Sequence, residues 1–320
     1  MKIVFLKDLS EEDYSRYKNS ELYSRVHSNY IFCDIHIEYY KEYWQQKWQD
    51  LSLIAFDNDD FYICMNMFTD GNELSFFGSP IEVFAIDDSP VKVMARAYQE
   101  LFAKIESFKS TYGVRIIRFS DNQHFVFKYY STPGFKEKIT YHSYIDLSKT
   151  EEEIYMNVRK SYKSLINWGK RSMTFELYDN TNITPEVFDT FENFHIITSG
   201  RRTRSHESWL LQFKAVKEGM GFVVFGRLHD ELVTAILILS GEKECFYGVC
   251  VNRRDLMAQK QPIGHATLLR CIYLAKEKGF KIFNVGNVTD REDPKANDIV
   301  KYQRGFNTIL KAKLTFEAQI

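Results

Sequence analysis

A short segment between a predicted strand and a predicted helix has the residue types of an anion-binding site. It reads Gln261-Pro262-Ile263-Gly264-His265-Ala266, follows a strand predicted at 246–251 and precedes a helix predicted at 266–278. The first N–H groups of a helix lack intrahelical partners, and the helix dipole adds partial positive charge there. Because Gly264 permits close approach to the backbone, the segment predicts an anion site. A glycine-containing turn without a ligand is the alternative.

Positive charges elsewhere suit recognition of a second anion. Arg201, Arg202 and Arg204 lie within four residues, beside His206 and Glu207. Guanidinium groups match the geometry of phosphate or carboxylate, whereas a solvated basic loop is the alternative.

A predicted helix at 151–171 carries Arg159 and Lys163 on its basic side. These two side chains could reach an anionic acceptor, and a solvated helix face is again the alternative.

Histidine is the residue most suited to deprotonate an amine near neutral pH. His195 is the candidate general base, with His206 and Glu207 as alternatives. A histidine in the core or in a helix cap would explain His195 equally well. His265 is expected to close the start of its helix rather than to do chemistry.

The elements that must position these residues follow from hydrophobic periodicity and turn residues. In the second half, strands are predicted at 141–147, 221–228, 232–239, 244–251 and 281–285, and helices at 151–171, 188–197, 209–218 and 266–278. In the first half, strands are predicted at 51–56, 61–68, 73–78 and 114–119, with helices at 38–49 and after Pro90. The similar order in both halves predicts two related α/β domains, at 1–147 and 148–320.

The composition narrows the class of protein. The chain has 320 residues and a formal charge of −1, which argues against coating nucleic acid by bulk charge. Hydrophobic residues at 44% and charged residues at 27% indicate a folded protein. Aromatic residues make up 16%, and five of them crowd one short predicted helix: Tyr39, Tyr40, Tyr43, Trp44 and Trp48. That cluster predicts either domain packing or the wall of a cleft.

The five cysteines form no Cys-x-x-Cys pair, so we expect reduced cysteines and no metal site. Neither a secretory signal nor an apolar run long enough to span a membrane is recognisable. These features predict a cytoplasmic protein.

The segment from Gln261 to Ala266 resembles the Q/R-x-x-G-x-G/A loop of GNAT acetyltransferases, which cradles the pyrophosphate of coenzyme A. The resemblance implies acyl-CoA (acetyl-CoA) as the donor, without a metal. The donor contacts it implies are Val249, Val251, Gln261, Ile263, Gly264, His265 and Ala266. Residues 297–306 resemble the late helix of that fold, where a tyrosine often protonates the leaving thiolate, and Tyr302 is implied in that role.

Most of the chain also resembles the Fem peptidyltransferase family. The likeness lies in the basic segment 159–163, in His195 followed by 200–204, and in the segments 283–286 and 299–306. It implies an α/β (α+β) fold of two tandem GNAT-like domains, each a mixed, mostly antiparallel sheet flanked by helices. It implies these acceptor contacts: Arg159, Lys163, Arg201, Arg202, Arg204 and Trp209.

Fem enzymes add amino acids from aminoacyl-tRNA to a peptidoglycan precursor. In those that use tRNA, a Phe-Lys pair occupies the positions of Tyr302 and Gln303, and the lysine charge supports the tetrahedral intermediate. Gln303 is neutral, which favours a CoA thioester, although Lys301 or Arg304 could substitute.

The sequence therefore predicts an enzyme, an acyltransferase that moves an acyl group from acyl-CoA to an amine. The resemblance implies a sugar, nucleotide sugar or cell-envelope precursor as acceptor. A tRNA-dependent aminoacyl transferase and a non-catalytic GNAT-like binding module are the alternatives. The oligomeric state stays open.

Overall fold

The chain divides into two compact units in a computed structural model that describes residues 1–45, 47–86, 88–121, 135–306 and 309–319. The first unit comprises Met1–His27, Trp44–Thr140 and Ala312–Ile320, and the second comprises Ser28–Tyr43 and Tyr141–Lys311. Residues 28–43 therefore group with the C-terminal half of the chain. The boundary expected at residue 147 stays a prediction.

The first unit is built on a mixed sheet with strand order β1-β3-β4-β7-β8-β15. Its helices are α1 (Glu11–Lys18), α2 (Glu21–His27) and α4 (Val91–Tyr112). Its strands are β1 (Lys2–Phe5), β2 (Gln49–Asp50), β3 (Leu53–Asp57), β4 (Asp60–Met65), β5 (Phe68–Thr69), β6 (Glu73–Ser75), β7 (Ile81–Ala85), β8 (Ile116–Asp121), the start of β9 (Phe135–Asp146) and most of β15 (Ile309–Gln319). The parallel strands β7 and β8 are joined by α4, whose apolar face supplies Met94, Ala97, Leu101, Ile105 and Phe108 to the core.

The second unit has the strand order β9-β14-β13-β12-β11-β10. Its helices are α3 (Asp34–Tyr43), α5 (Glu151–Asn157), α6 (Lys160–Ser172), α7 (Pro185–Ser199), α8 (His206–Lys217), α9 (Arg254–Ala258), α10 (Ile263–Glu277) and α11 (Pro294–Arg304). Its strands besides β9 are β10 (Met173–Tyr178), β11 (Gly221–Leu228), β12 (Glu231–Ser240), β13 (Glu244–Asn252) and β14 (Ile282–Asn287). All neighbouring pairs are antiparallel except β13 and β14.

The parallel pair β13–β14 organises this unit. Its pairing extends only from Glu244 to Phe246 on β13 and from Ile282 to Asn284 on β14. Parallel strands require a crossover, and α10 provides it. Because α10 is apolar around most of its surface, it fills the core on one face of the sheet. A second core, which includes Phe191, Trp209 and Phe225, covers the other face. The mixed, mostly antiparallel sheets confirm the predicted fold class.

The predictions of individual helices need correction at two sites. The helix expected at 151–171 is two helices, because Val158 is extended and buried and the Arg159 N–H donates to the Gly305 carbonyl at 2.8 Å. The helix expected at 38–49 is shorter and begins earlier, and it ends at Tyr43. Trp44 and Trp48 consequently belong to the first unit, where Trp48 packs edge-on against Phe77.

Two general features concern the described residues. Their helices include none long and apolar enough to cross a membrane. All five cysteines are free, and every one except Cys250 is buried.

The contact between α6 and α10 depends on a glycine. A Cβ atom on Gly169 would lie 2.5 Å from the Cβ of Ala266, in the first turn of α10. The two helices cannot move apart without opening the core that includes Ile166 and Leu269. Gly169 therefore fixes how closely α6 approaches the start of α10.

We predict that Gly169→Ala lowers the free energy of unfolding by about 1–3 kcal/mol, the usual cost of overpacking. The double variant Gly169→Ala/Ala266→Gly exchanges the two side chains and should recover most of that loss. Urea denaturation measures both effects. A neutral or stabilised single variant, the result expected from helix propensity alone, would contradict the close contact.

Candidate functional site

A cavity of about 420 Å³ lies in the second unit. This volume falls within the range of small-molecule sites. The lining residues come from the segment 28–43, from α7 and α8 with their connecting loop, and from β12 and β13: Tyr30, His36, Tyr39, Tyr40, Tyr43, His195, Thr203, Arg204, Gln212, Leu239, Phe246, Gly248 and Val249. The cavity thus brings His195, Arg204 and Val249 together with Tyr39, Tyr40 and Tyr43, three of the five aromatic residues predicted to pack the domains or to line a cleft. The other two, Trp44 and Trp48, do not line it.

The aromatic wall comes from a 3-10 helix at Tyr30–Phe32 and from α3. Tyr30 stacks on Phe246 of β13, with ring centroids 4.9 Å apart. His36 lies 4.5 Å from the Tyr30 ring and 4.6 Å from the Tyr40 ring. Burial raises the pKa of Tyr30 and of Tyr40 and lowers the pKa of His36 to about 3. This wall is therefore uncharged near neutral pH.

Arg204 is the charged residue of the lining. Its Nη1 donates to the Tyr39 hydroxyl at 2.9 Å and to the Gln212 amide oxygen at 3.2 Å. The guanidinium carbon lies 4.2 Å from the ring centroid of Trp209, a cation–π distance. Trp209, expected to contact an acceptor, is only 1% exposed and instead supports Arg204 from within the core.

The loop that carries Arg204 is held by a buried carboxylate. Glu192 of α7 is 4% exposed, accepts a hydrogen bond from the Arg202 guanidinium, and lies 2.7 Å from Nδ1 of His206. Arg202 and His206 are thus occupied with Glu192. Arg201 and Glu207 are exposed to solvent and do not line the cavity.

His195 is half-buried on α7, one turn after Glu192. Its ring packs edge-on against Trp209, and its Nδ1 lies 3.5 Å from the Ser199 hydroxyl. Burial is the main cause that lowers the His195 pKa to about 4, and the positive charges of Arg204 and Arg254 add to it. The imidazole is therefore neutral at physiological pH and can accept a proton.

The segment expected to bind the donor forms the start of α10, which begins at Ile263. The side chains of Ile263 and Ala266 are buried, so only backbone groups of these residues could meet a ligand. Gly264 is covered by neighbours: a Cβ there would lie 3.2 Å from Asn252 Oδ1 and 3.3 Å from the Tyr302 hydroxyl. The missing side chain of Gly264 therefore makes room for Asn252 and Tyr302.

Three polar atoms around this helix start are buried and lack hydrogen-bond partners among the described residues. They are Asn252 Oδ1, Gln261 Oε1 and His265 Nδ1. Burial lowers the His265 pKa to about 4, so its ring is neutral. Unpartnered buried polar atoms are costly, and a ligand that supplies N–H or O–H groups would satisfy the two amide oxygens.

Tyr302 of α11 joins an aromatic cluster with Tyr162, His265 and Phe306. Its hydroxyl donates to the Gly264 carbonyl at 2.9 Å. Burial raises the pKa of Tyr302 well above its usual value of 10, which makes the phenol a hydrogen-bond donor and a poor source of protons for a thiolate.

The other basic residues expected to reach an acceptor have contacts of their own. The Arg159 guanidinium donates to the Lys301 carbonyl at 3.2 Å, and Lys163 donates to the Met156 carbonyl at 3.3 Å. Neither lines the cavity.

β13 contributes to both the cavity and the surroundings of the α10 start: Phe246 and Val249 line the cavity, and Asn252 lies beside Gly264. The pairing of β13 with β14 ends at Phe246. Val249 and Val251 of β13 pack in the core near the cavity, whereas Cys250 between them packs in the core near Tyr302. The neutral Gln303 side chain donates to the Val285 carbonyl of β14 at 3.1 Å. Gln303 therefore has a structural partner on the strand that diverges from β13.

Sequence reasoning missed several residues of this region. Tyr30, His36, Gln212 and Phe246 line the cavity, and the density of aromatic residues in 30–43 was the available signal. Asn252 beside Gly264 gave no signal in the sequence. Within the described ranges there is no cluster of three or more His, Cys, Asp or Glu that could hold a metal ion.

Comparisons with known proteins add evidence on the fold. No family model matches the sequence, and neither does any curated protein. Solved structures do match, and the fold they share is that of tandem GNAT-like proteins.

Several of these structures cover nearly the whole chain, among them the following three. FemX superposes with a TM-score of 0.69 at 11% identity, over 100% of this chain and 98% of its own. The tandem GNAT protein from the clavulanic acid biosynthesis pathway has a TM-score of 0.58 at 10% identity, over 99% and 98%. L-PGS from Bacillus licheniformis has a TM-score of 0.57 at 12% identity, over 96% and 91%. These likenesses confirm the predicted Fem-like and GNAT-like fold.

We predict that His195 titrates near pH 4 and that Arg204→Met raises its pKa without restoring the ordinary 6.5, because burial is the larger cause. NMR of the imidazole protons measures this, with His195→Gln to assign the signal. Since the unfolded chain binds this proton more readily, the contribution to stability is complete above pH 6.5 and is lost as the pH falls towards 4. A His195 pKa near 6.5 would mean that the ring is solvated.

Proposed function

We propose that the chain is an acyltransferase that moves an acyl group from acyl-CoA to an amine held in the cavity of the second unit. The observation that carries the proposal lies on β13. Residues of this strand line the cavity together with the neutral His195, and its pairing with β14 ends at Phe246. The last residue of the strand, Asn252, lies beside Gly264 at the start of α10. A donor arm that passes between the separated strands would bring its carbonyl to the cavity. The acceptor classes implied by the Fem resemblance are a sugar, a nucleotide sugar or a cell-envelope precursor.

The proposed reaction is a direct transfer. The acceptor nitrogen forms a bond to the acyl carbon, and the bond from that carbon to the thiolate sulfur breaks. His195 accepts the proton that the amine loses as the new bond forms. Its ring is unprotonated at neutral pH, and its low pKa makes it a weaker base than an ordinary histidine. Since the Tyr302 pKa is raised, we assign the proton that the thiolate gains to water, and Tyr302 to holding the Gly264 carbonyl. Most of the rate would come from holding the two reactants together.

The residues around α10 fit a CoA donor in one respect. The unpartnered oxygens of Asn252 and Gln261 could accept hydrogen bonds from the amide N–H groups of the pantetheine arm. The helix start would meet the phosphates through its backbone N–H groups. Asn252 and Tyr302 cover Gly264, so we assign this contact to its neighbours in the first turn.

A tRNA-dependent aminoacyl transfer is the second candidate. Its support is the fold, because FemX superposes on the whole chain, and the ribose hydroxyls of tRNA could also satisfy the two amide oxygens. The neutral Gln303, bound to the Val285 carbonyl, argues for the thioester.

We predict that Gln261→Leu weakens acetyl-CoA binding about tenfold, the effect of losing one hydrogen bond of roughly 1.4 kcal/mol. Stability should be unchanged or higher, because the Gln261 oxygen has no partner to lose. A substitution at Gly264, such as Gly264→Glu, would be a less specific test, because the new side chain would also clash with Asn252 and Tyr302. Calorimetry measures binding, and Gln259→Leu, at an exposed position on the same loop, is the matched control.

The same titration separates the donors. If the wild-type protein does not bind acetyl-CoA at millimolar concentration, the CoA proposal fails. Binding of charged tRNA with steep salt dependence would instead support the second candidate. Ligand binding without turnover of either donor would indicate a non-catalytic binding module.

We predict that His195→Gln lowers kcat by about 10²-fold, the low end of the usual contribution of a general base because the His195 pKa lies well below neutral, with little change in KM. Steady-state kinetics with acetyl-CoA and an amine acceptor measure the effect. His229→Asn, at an exposed turn with positive φ, is the control. An equal loss in both variants, or a loss confined to KM, would reject the assigned role.

A further inference from the structure

Arg204 is a partly buried cation without a carboxylate partner among the described residues. Its hydrogen bonds go to two neutral groups, the Tyr39 hydroxyl and the Gln212 amide oxygen, and its Nε lacks an acceptor. A charge removed from water is costly unless an opposite charge compensates it. The protein therefore maintains a positive charge at the cavity wall that its own residues do not neutralise.

Acidic side chains near this loop are engaged elsewhere. Glu192 is shared by Arg202 and His206, and Glu42 accepts a hydrogen bond from the Ser205 hydroxyl at 2.9 Å. The residues that line the cavity include neither Asp nor Glu. The lining consequently carries one positive charge, that of Arg204, because His36 and His195 are neutral.

The orientation of the guanidinium is fixed before a ligand binds. Trp209, itself held in the core against Phe188 and Phe191, supports one face of the guanidinium. Tyr39 of α3 and Gln212, one turn after Trp209 on α8, hold Nη1. A planar donor group held in this way suits a planar acceptor with two oxygens, so the geometry favours a carboxylate.

The rest of the lining suits the body of such a ligand. Four tyrosines line the same cavity: Tyr30, Tyr39, Tyr40 and Tyr43. Aromatic side chains bind flat or apolar groups at low cost in conformational entropy. A phosphate dianion or a diphosphate would bring two or more negative charges to a single cation, so a monoanion is the better match.

We propose that the cavity binds an amine that also bears a carboxylate, with the carboxylate on Arg204, the body among the tyrosines and the amine towards His195. The carboxylate assignment stands on the cavity alone, whereas the amine assignment rests on the proposed function. This narrows the acceptor to an amino-acid-like group and disfavours a nucleotide sugar.

The test compares four probes of similar shape by calorimetry, without any acyl donor. L-phenylalanine and phenylacetate carry the carboxylate, L-phenylalaninamide lacks it, and phenyl phosphate replaces it with a dianion. We expect the two carboxylates to bind at least tenfold more tightly than the amide, and phenyl phosphate to bind no more tightly than phenylacetate. Arg204→Met should abolish the preference, and Arg204→Lys should retain part of it. Arg270→Met, which removes a surface arginine paired with Glu277 at 3.0 Å, should leave it unchanged.

Three results would overturn the proposal: equal binding of acid and amide, a carboxylate preference that persists in Arg204→Met, or no binding of any probe at millimolar concentration. Tighter binding of phenyl phosphate would reassign the site to phosphate. The acyl-transfer reaction is tested separately, with L-phenylalanine as acceptor and L-phenylalaninamide as the counterpart that lacks the carboxylate. A carboxylate preference without transfer would reject the proposed function but support the carboxylate site. Equal transfer to both acceptors would support the proposed function but reject the carboxylate site.

Discussion

Two parallel strands that pair over only three residues determine the layout of the second unit. Because β13 and β14 run in the same direction, the chain must cross over between them, and α10 fills one core as it does so. Because the strands separate after Phe246, the continuation of β13 is left between two environments. Val249 faces the cavity side and Cys250 faces the side of Tyr302. The first unit has the same crossover between β7 and β8, but its helix begins at Pro90 and Val91, without a glycine in the first turn.

The sequence was informative wherever a local pattern determined the outcome. Alternating and helical periodicity predicted β11, β12, β13 and α10 within three residues at each end. Tertiary contacts determined what it missed. The break at Val158 depends on the Gly305 carbonyl, more than a hundred residues away, and no residue at the break signals it.

The same distinction applies to the site. Residue type alone identified His195 and Arg204 as candidates for chemistry. Only the fold reveals that Arg202 and His206 are occupied by Glu192 while Arg204 has neutral partners, since three arginines within four residues look alike in a sequence. Trp209 is the opposite case. Its position next to a charged loop suggested contact with an acceptor, but its side chain is buried and supports Arg204. Tyr302 lies near Gly264, as the late-helix resemblance suggested, but burial raises its pKa.

The segment Ser28–Tyr43 has a consequence for synthesis of the chain. It belongs to the second unit although it is translated among residues of the first. At typical translation rates of about 5–20 residues per second, roughly 10–40 s pass between the emergence of Tyr43 and that of Val249. During that interval the residues on either side can begin to fold as part of the first unit, which is completed only when Ala312–Ile320 emerge. The aromatic segment meanwhile lacks the surface against which it packs. The aromatic wall of the cavity is thus synthesised before the residues that bury it. Until those residues emerge, a tyrosine-rich segment is exposed to chaperones and to other nascent chains.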